Sequence, residues 1–121
     1  MINMHSEAII KCMTVSDVIQ SVKFLKGEEV SVRGGHNVAG TSLCDGYVID
    51  LSSTKEIWVD KKNQIARAQA GVVWKELDRE TQLFGLAISG GAISSTGIAG
   101  FTLGGGRGHT SRMYGLACDN V

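Results

Sequence analysis

The chain has 121 residues, enough for one small domain with its own core but not for two. Its 12 basic and 12 acidic side chains cancel, so no net field draws it toward nucleic acid or anionic lipid, and an anionic ligand must be held by local geometry. No apolar run approaches the ~20 residues that span a bilayer, and the N-terminus lacks the charged and apolar regions of a signal peptide. Together these features lead us to expect a cytoplasmic protein with neither a nucleic-acid nor a membrane partner.

Thr14 followed by Asp17 resembles a capping box, after which Val15, Val18, Ile19, Val22 and Leu25 recur at helical spacing until Gly27 offers a stop. Val30 to Arg33 is β-prone and ends in Gly34-Gly35, so a strand delivers Arg33, Gly34, Gly35, His36 and Asn37 onto a loop. Tyr47–Leu51, Glu56–Asp60 and Ile65–Ala70 read as short strands divided by polar turns. From Val73 to Phe84 the residues Val73, Trp74, Leu77 and Phe84 share a helical stripe, with Gly85 placed to cap the C-terminus. Gly90 to Gly108 shows neither period and is expected to be a long functional loop. Cys118 to Val121 carries no helix or strand signal, so the chain is expected to stop in mid-domain.

Cys12, Cys44 and Cys118 are odd in number, widely spaced and without a C-x-x-C pair, which argues against a disulfide framework or a zinc site and for buried thiols. The strong bias is glycine: there are 16 and no proline, and eight of the 16 lie between Gly90 and Gly108. Two glycine-rich loops, Arg33 to Gly40 and Gly90 to Gly108, are suited to enclosing a pyrophosphate, because bare backbone N–H groups can approach its oxygens. Ser94, Ser95 and Thr96 add hydroxyl donors beside Gly97. No G-x-x-x-x-G-K-[ST] occurs, and His109 stands where a G-x-G-x-x-G motif opened by Gly104 needs its last glycine. Neither a P-loop nor a Rossmann fingerprint is present.

Val32-Arg33-Gly34-Gly35-His36-Asn37-Val38-Ala39-Gly40, followed by Val48-Ile49-Asp50-Leu51-Ser52, resembles the first flavin-binding loop and strand of berberine-bridge-enzyme-like FAD-linked oxidases. Ser94-Ser95-Thr96-Gly97-Ile98-Ala99-Gly100-Phe101-Thr102-Leu103-Gly104-Gly105-Gly106, continued by Ser111-Arg112-Met113-Tyr114-Gly115-Leu116, is similar to the second loop of the same family. The resemblance runs from about Ile9 to Val121. It implies an α+β fold of the vanillyl-alcohol-oxidase and p-cresol-methylhydroxylase type, in which two small subdomains clasp FAD. Residues 1–121 would form a partial FAD-binding domain, incomplete at both ends, with the substrate domain absent.

Carried over residue by residue, the resemblance assigns Arg33, Gly34, Gly35, His36 and Asn37 to the first cofactor-binding loop. Ser94, Ser95, Thr96, Gly97, Gly100, Gly105 and Gly108 are assigned to the second. His36 matches the histidine that such enzymes often join covalently to the flavin 8α-methyl carbon. Two residues separate Arg33 from His36 where family members place three, a difference of about 3.3 to 3.6 Å in reach. Ile93 stands at the position of the cysteine in doubly linked members, so no thioether bond is expected. Arg107 and His109 fall where relatives carry apolar or aromatic residues in a packing strand.

The family chemistry is hydride transfer from an alcohol, amine or sugar to the flavin, with electrons then passing to dioxygen. No catalytic base is assigned, since Asp45, Asp60, Glu76 and Asp78 are scattered over turns and a helix surface. A small-molecule substrate is therefore expected only if a missing domain completes the site. Two other readings stay open: a non-catalytic remnant or partner-binding fragment of such an enzyme, and a phosphate-binding module without redox chemistry.

Overall fold

In a computed structural model, residues 3–37 and 39–121 are described, and Val38 of the first glycine loop lies outside them. The N-terminal half is a three-stranded parallel sheet in the order β1-β3-β2, where β1 is Ala8–Lys11, β2 is Val30–Arg33 and β3 is Tyr47–Asp50. β3 takes the centre because Val48, Ile49 and Asp50 are all buried, as a strand covered on both faces requires. Ile49 pairs with Ile10 on one side and Val32 on the other, while Asp50 stands level with Lys11 and Arg33.

A parallel pair needs a crossover, and helix α1, Val15–Phe24, supplies the one between β1 and β2. It starts where the sequence places it. Asp17 N–H donates to Thr14 Oγ1 at 3.2 Å, and Asp17 Oδ2 accepts from Met13 N–H at 2.9 Å and Thr14 N–H at 2.8 Å. The backbone bonds from Met13 and then Thr14 hold the Asp17 carboxyl below its ordinary range. The helix packs through Val18 on a core of Cys12, Ile49 and its own C-cap residue Leu25. Val15, Ile19 and Val22 of the anticipated stripe face outward, because a sheet of four-residue strands covers only one side of the helix.

The second half is an antiparallel pair, β4 (Ile57–Asp60) and β5 (Ile65–Ala68), against helix α2, Trp74–Gln82. Asp60 shapes the hairpin turn by accepting N–H bonds from Lys62 and Asn63, and Gln64 takes φ +55°. Glu76 Oε2 locks the start of α2, accepting from Val73 N–H at 2.9 Å and from Lys55 Nζ at 2.8 Å. Val72, Trp74, Leu77 and Ile98 form the core here, with Ile57, Ala66, Ala68, Ile88 and Phe101 packed around it. Thr81 is buried on α2, whereas Phe84, expected on the apolar stripe, lies beyond the helix and is exposed.

Three expectations are corrected. Residues Gly90 to Gly108 are not wholly loop: Ile98–Leu103 is a helix, α3, begun by Gly97 and ended by Gly104. The C-terminal residues do have structure, a one-turn helix α4 at Ser111–Tyr114 and a 3-10 turn at Ala117–Asn120 whose N–H at Leu116 is held by Asp119. Arg107 and His109 lie on no packing strand; both are exposed, so neither is buried without a partner.

Removing the α1 cap tests the first of these starts. Thr14→Ala is expected to lower the unfolding free energy by about 1 kcal/mol, the usual cost of losing a side-chain N-cap, read from the denaturant midpoint at unchanged slope.

Candidate functional site

β2 hands the chain to the first glycine loop at a fixed point. Arg33 carbonyl accepts Leu51 N–H at 2.8 Å, and Arg33 Nη1 donates to Asp50 Oδ2 at 2.8 Å, while Asp50 Oδ1 accepts Ser52 N–H at 2.8 Å. Burial pushes the Asp50 carboxyl up, but the bonds from Ser52 and the Arg33 guanidinium outweigh it and hold the group below the usual carboxylate range. The Arg33 side chain remains 46% exposed, so its outer guanidinium face stays available.

The second loop is stitched to the start of α2. Trp74 N–H donates to Thr96 carbonyl, Lys75 N–H to Ser94 carbonyl and Ile98 N–H to Val72 carbonyl, with a bridge between Val73 and Gly97. Each loop is thus anchored to a different half of the molecule. They meet at glycines. Gly97 N–H donates to Gly35 carbonyl at 3.3 Å, and a β-carbon on Gly97 would stand 2.7 Å from Gly34 carbonyl oxygen and 2.9 Å from Gly35 carbonyl carbon. Gly35 has φ +117°, a conformation that a side chain would strain. A β-carbon on Gly100 would lie 3.1 Å from His36 carbonyl oxygen. These four glycines serve loop-to-loop contact as well as openness to a ligand.

Closing the loops in this way leaves donors over. Among the described residues the N–H groups of Gly34, Gly35, His36 and Asn37 donate to no protein acceptor, nor do those of Ser94 and Ser95. Arg33, Gly35, His36, Asn37 and Ser42 line an open recess of about 180 Å³. Such a volume is below the roughly 300–1,000 Å³ of sites that enclose a whole small ligand. A run of neutral donors beside one arginine suits the pyrophosphate of a dinucleotide, and the residues present therefore fit the anionic middle of FAD.

The structure brings Gly34, Gly35, His36, Gly97 and Gly100 together. Asn37 shares the recess and donates through Nδ2 to Thr41 Oγ1 at 2.6 Å. Ser94 and Ser95 are exposed on the approach to the second loop, and Thr96 is tied down through N–H to Ile93 and carbonyl to Trp74. Gly105 and Gly108 belong to another junction: Cys118 N–H donates to Gly105 carbonyl, and a β-carbon on Gly108 would overlap Gly90 carbonyl oxygen. Cys12 and Cys44 are buried thiols, and among the described residues no group of His, Cys, Asp and Glu is placed to hold a metal ion. No described helix is long and apolar enough to cross a membrane.

Sequence reasoning passed over Phe101, whose ring lies between His36 and Trp74. Phe101 appears in the sequence only as part of the second-loop motif, because nothing local marks a contact between residues so far apart in the chain.

Residues 6–121 match the FAD binding domain family. The chain belongs to that family. This FAD-binding domain is 39% identical over 117 residues to (R)-6-hydroxynicotine oxidase of Paenarthrobacter nicotinovorans, covering 93% of this chain and 26% of that enzyme. It is 39% identical over 111 residues to an FAD-linked oxidoreductase of Dictyostelium discoideum, covering 88% and 24%. The crystal structure of 6-hydroxy-D-nicotine oxidase from Arthrobacter nicotinovorans superposes with TM-score 0.89 at 36% identity, over 96% of this chain and 26% of that one. A berberine-bridge-enzyme-like protein of Physcomitrella patens gives 0.83 at 29%, over 92% and 26%. The domain thus has the fold of the p-cresol-methylhydroxylase type, and it spans about a quarter of the length of these relatives.

Two measurements test the loop junction. Gly97→Ala should destabilise the domain by about 1–3 kcal/mol, the cost of overpacking against backbone that cannot yield, and should weaken FAD binding with it. The Asp50 contribution to stability is complete above an unfolded carboxyl value of about 3.9 and is lost as pH falls through the lower folded value. Asp50→Asn should therefore melt lower than the wild type at pH 6, by about 1 kcal/mol given the half-exposed partner, and the difference should shrink toward pH 3.

Proposed function

We propose that the chain forms the pyrophosphate-gripping portion of an FAD-dependent oxidoreductase, with the first-loop residues Arg33 to Asn37 and the second-loop residues Ser94 to Gly97 and Gly100 contacting the cofactor. Gly105 and Gly108 would act through the junction that supports the second loop. The observation carrying this reading is the run of N–H groups from Gly34 to Asn37 that, among the described residues, have no acceptor where the two loops lock. When bound, the flavin supplies acceptance of a hydride from an alcohol, amine or sugar carbon and return of the electrons to dioxygen. This chain's own residues hold and orient; substrate binding and proton removal fall to polypeptide equivalent to the remaining three quarters of the relatives. Three unpaired cysteines accord with a reducing, cytoplasmic setting.

His36 is our assignment for the covalent anchor. It is exposed at the recess, and a bond there exchanges an imidazole N–H and a methyl C–H for one N–C bond. The two protons and two electrons released reduce dioxygen to hydrogen peroxide.

Absorbance of the purified chain, reconstituted with FAD and then precipitated with acid, checks both levels. Colour is expected to stay with the precipitate and to move to the supernatant in His36→Ala. Colour released from the wild type would disprove the bond but not the binding. A chain that takes up no flavin, or that ADP stabilises as much as FAD does, would overturn the flavoprotein reading.

A further inference from the structure

Phe101 lies in the middle of α3, and its ring meets two others near edge-on. The centroid of Trp74 is 5.4 Å away with the planes at 79°, and that of His36 is 5.8 Å away at 67°. Both fall in the range of about 4.5–7 Å favoured by T-shaped aromatic pairs. The Phe101 ring itself has little freedom. Trp74 is 2% exposed in the core, and bare backbone closes on the ring from two other sides. A β-carbon on Gly106 would stand 2.6 Å from Phe101 Cδ1, and one on Gly91 3.2 Å from Phe101 Cε2.

His36 is in the opposite situation. It is exposed, sits on a loop, and among the described residues its ring makes no hydrogen bond. An imidazole on an exposed loop samples several rotamers unless something fixes it, and among the described residues the aromatic ring against it is the clamped ring of Phe101.

We propose that Phe101 is a positioning residue, whose fixed ring selects the orientation of the His36 imidazole from which the flavin bond forms. The part concerning the bond rests on the assignment of His36 as anchor, whereas the orientation is a property of the chain alone. This goes beyond filling the core, since the Phe101 ring packs against the core of Val72, Trp74, Leu77 and Ile98 and also meets the His36 ring.

The test follows the imidazole resonances of His5, His36 and His109 in the full chain, together with the rate at which acid-stable flavin accumulates after FAD is added. In the wild type the His36 resonances should be displaced by the Phe101 ring current. In Phe101→Leu they should move toward those of His5 and His109, and acid-stable flavin should form about tenfold more slowly or worse, as a misplaced reacting group implies. Phe101→Tyr keeps the ring and should restore both within about twofold. Ile98→Val, which loosens the same core, should change neither. Should Phe101→Leu not fold, Phe101→Met, which refills the space without a π face, takes its place. Unchanged His36 resonances, or an unchanged rate of attachment, in the folded ring-deleted variant would overturn the proposal. If the wild type releases all its flavin to acid, the anchor assignment fails and the proposal with it. That failure is distinguishable, because the resonances still show whether Phe101 holds the ring.

Discussion

Everything in this domain that bears on a ligand depends on a contact where no side chain fits. Gly97 sits against the carbonyl groups of Gly34 and Gly35 so closely that a single β-carbon would collide with backbone on the facing loop. The two loops come from different halves of the fold, one issuing from the parallel sheet at Arg33 and the other bonded to the start of α2 at Trp74 and Lys75. Their meeting is therefore also one of the places where the halves join. Had either loop carried side chains here, the halves would have to separate by the width of a methyl group or more, and the hydrogen bond from Gly97 to Gly35 would be lost.

The close approach has a chemical consequence. Loop backbone pressed against loop backbone uses up some donors, as at Gly97, and strands others, as from Gly34 to Asn37, because a turn led by Gly35 at φ +117° points successive N–H groups away from any helix or sheet partner. Unpaired backbone N–H groups are stable only where water or a ligand can reach them, and Gly35, His36 and Asn37 line an open recess. The charge balance of the chain reinforces the point. With 12 charges of each sign, and with Arg33 already bonded to Asp50, there is little long-range pull on an anion. Recognition of a pyrophosphate must come from the direction of fixed dipoles, which reward a close fit and fall away quickly with distance.

Local signals were the legible ones. Thr14 and Asp17 announce the start of α1, and Val30 to Arg33 reads as a strand, because cap chemistry and β-branched runs act over a few residues. The glycine clusters and the family motif gave the loops, the fold type and FAD. The strand Ala8–Lys11 escaped notice because its pairing is with Tyr47–Asp50, far along the chain, and Ala-Ile-Ile-Lys has no alternation to betray it. Helix α3 escaped because Ile98 to Leu103 is too short for a period to show and contains Gly100, a residue that argues against helix on propensity alone. Phe84 was placed on a buried stripe by spacing, but α2 ends at Gln82 and leaves it outside. What the glycines touch was not legible at all. Gly97 and Gly108 look alike in the sequence, yet one meets the first loop and the other meets Gly90.

The aromatic series Trp74, Phe101, His36 shows how the core reaches the site. Trp74 is held by the packing of α2, its indole covered by the backbone of Gly90 and Gly91, and its Nε1 is buried without an acceptor among the described residues. A buried donor left unpaired costs free energy, so its retention at the centre of the core indicates that shape rather than polarity is what the position serves. Phe101 shares that rigidity through its ring contact with Trp74 and its place among Gly91 and Gly106, and it presents a fixed ring to His36 on the first loop. An exposed loop histidine whose ring makes no hydrogen bond among the described residues is not held by polar contacts. Its orientation must then be set by what it leans on, and the ring it leans on is fixed from the core outward.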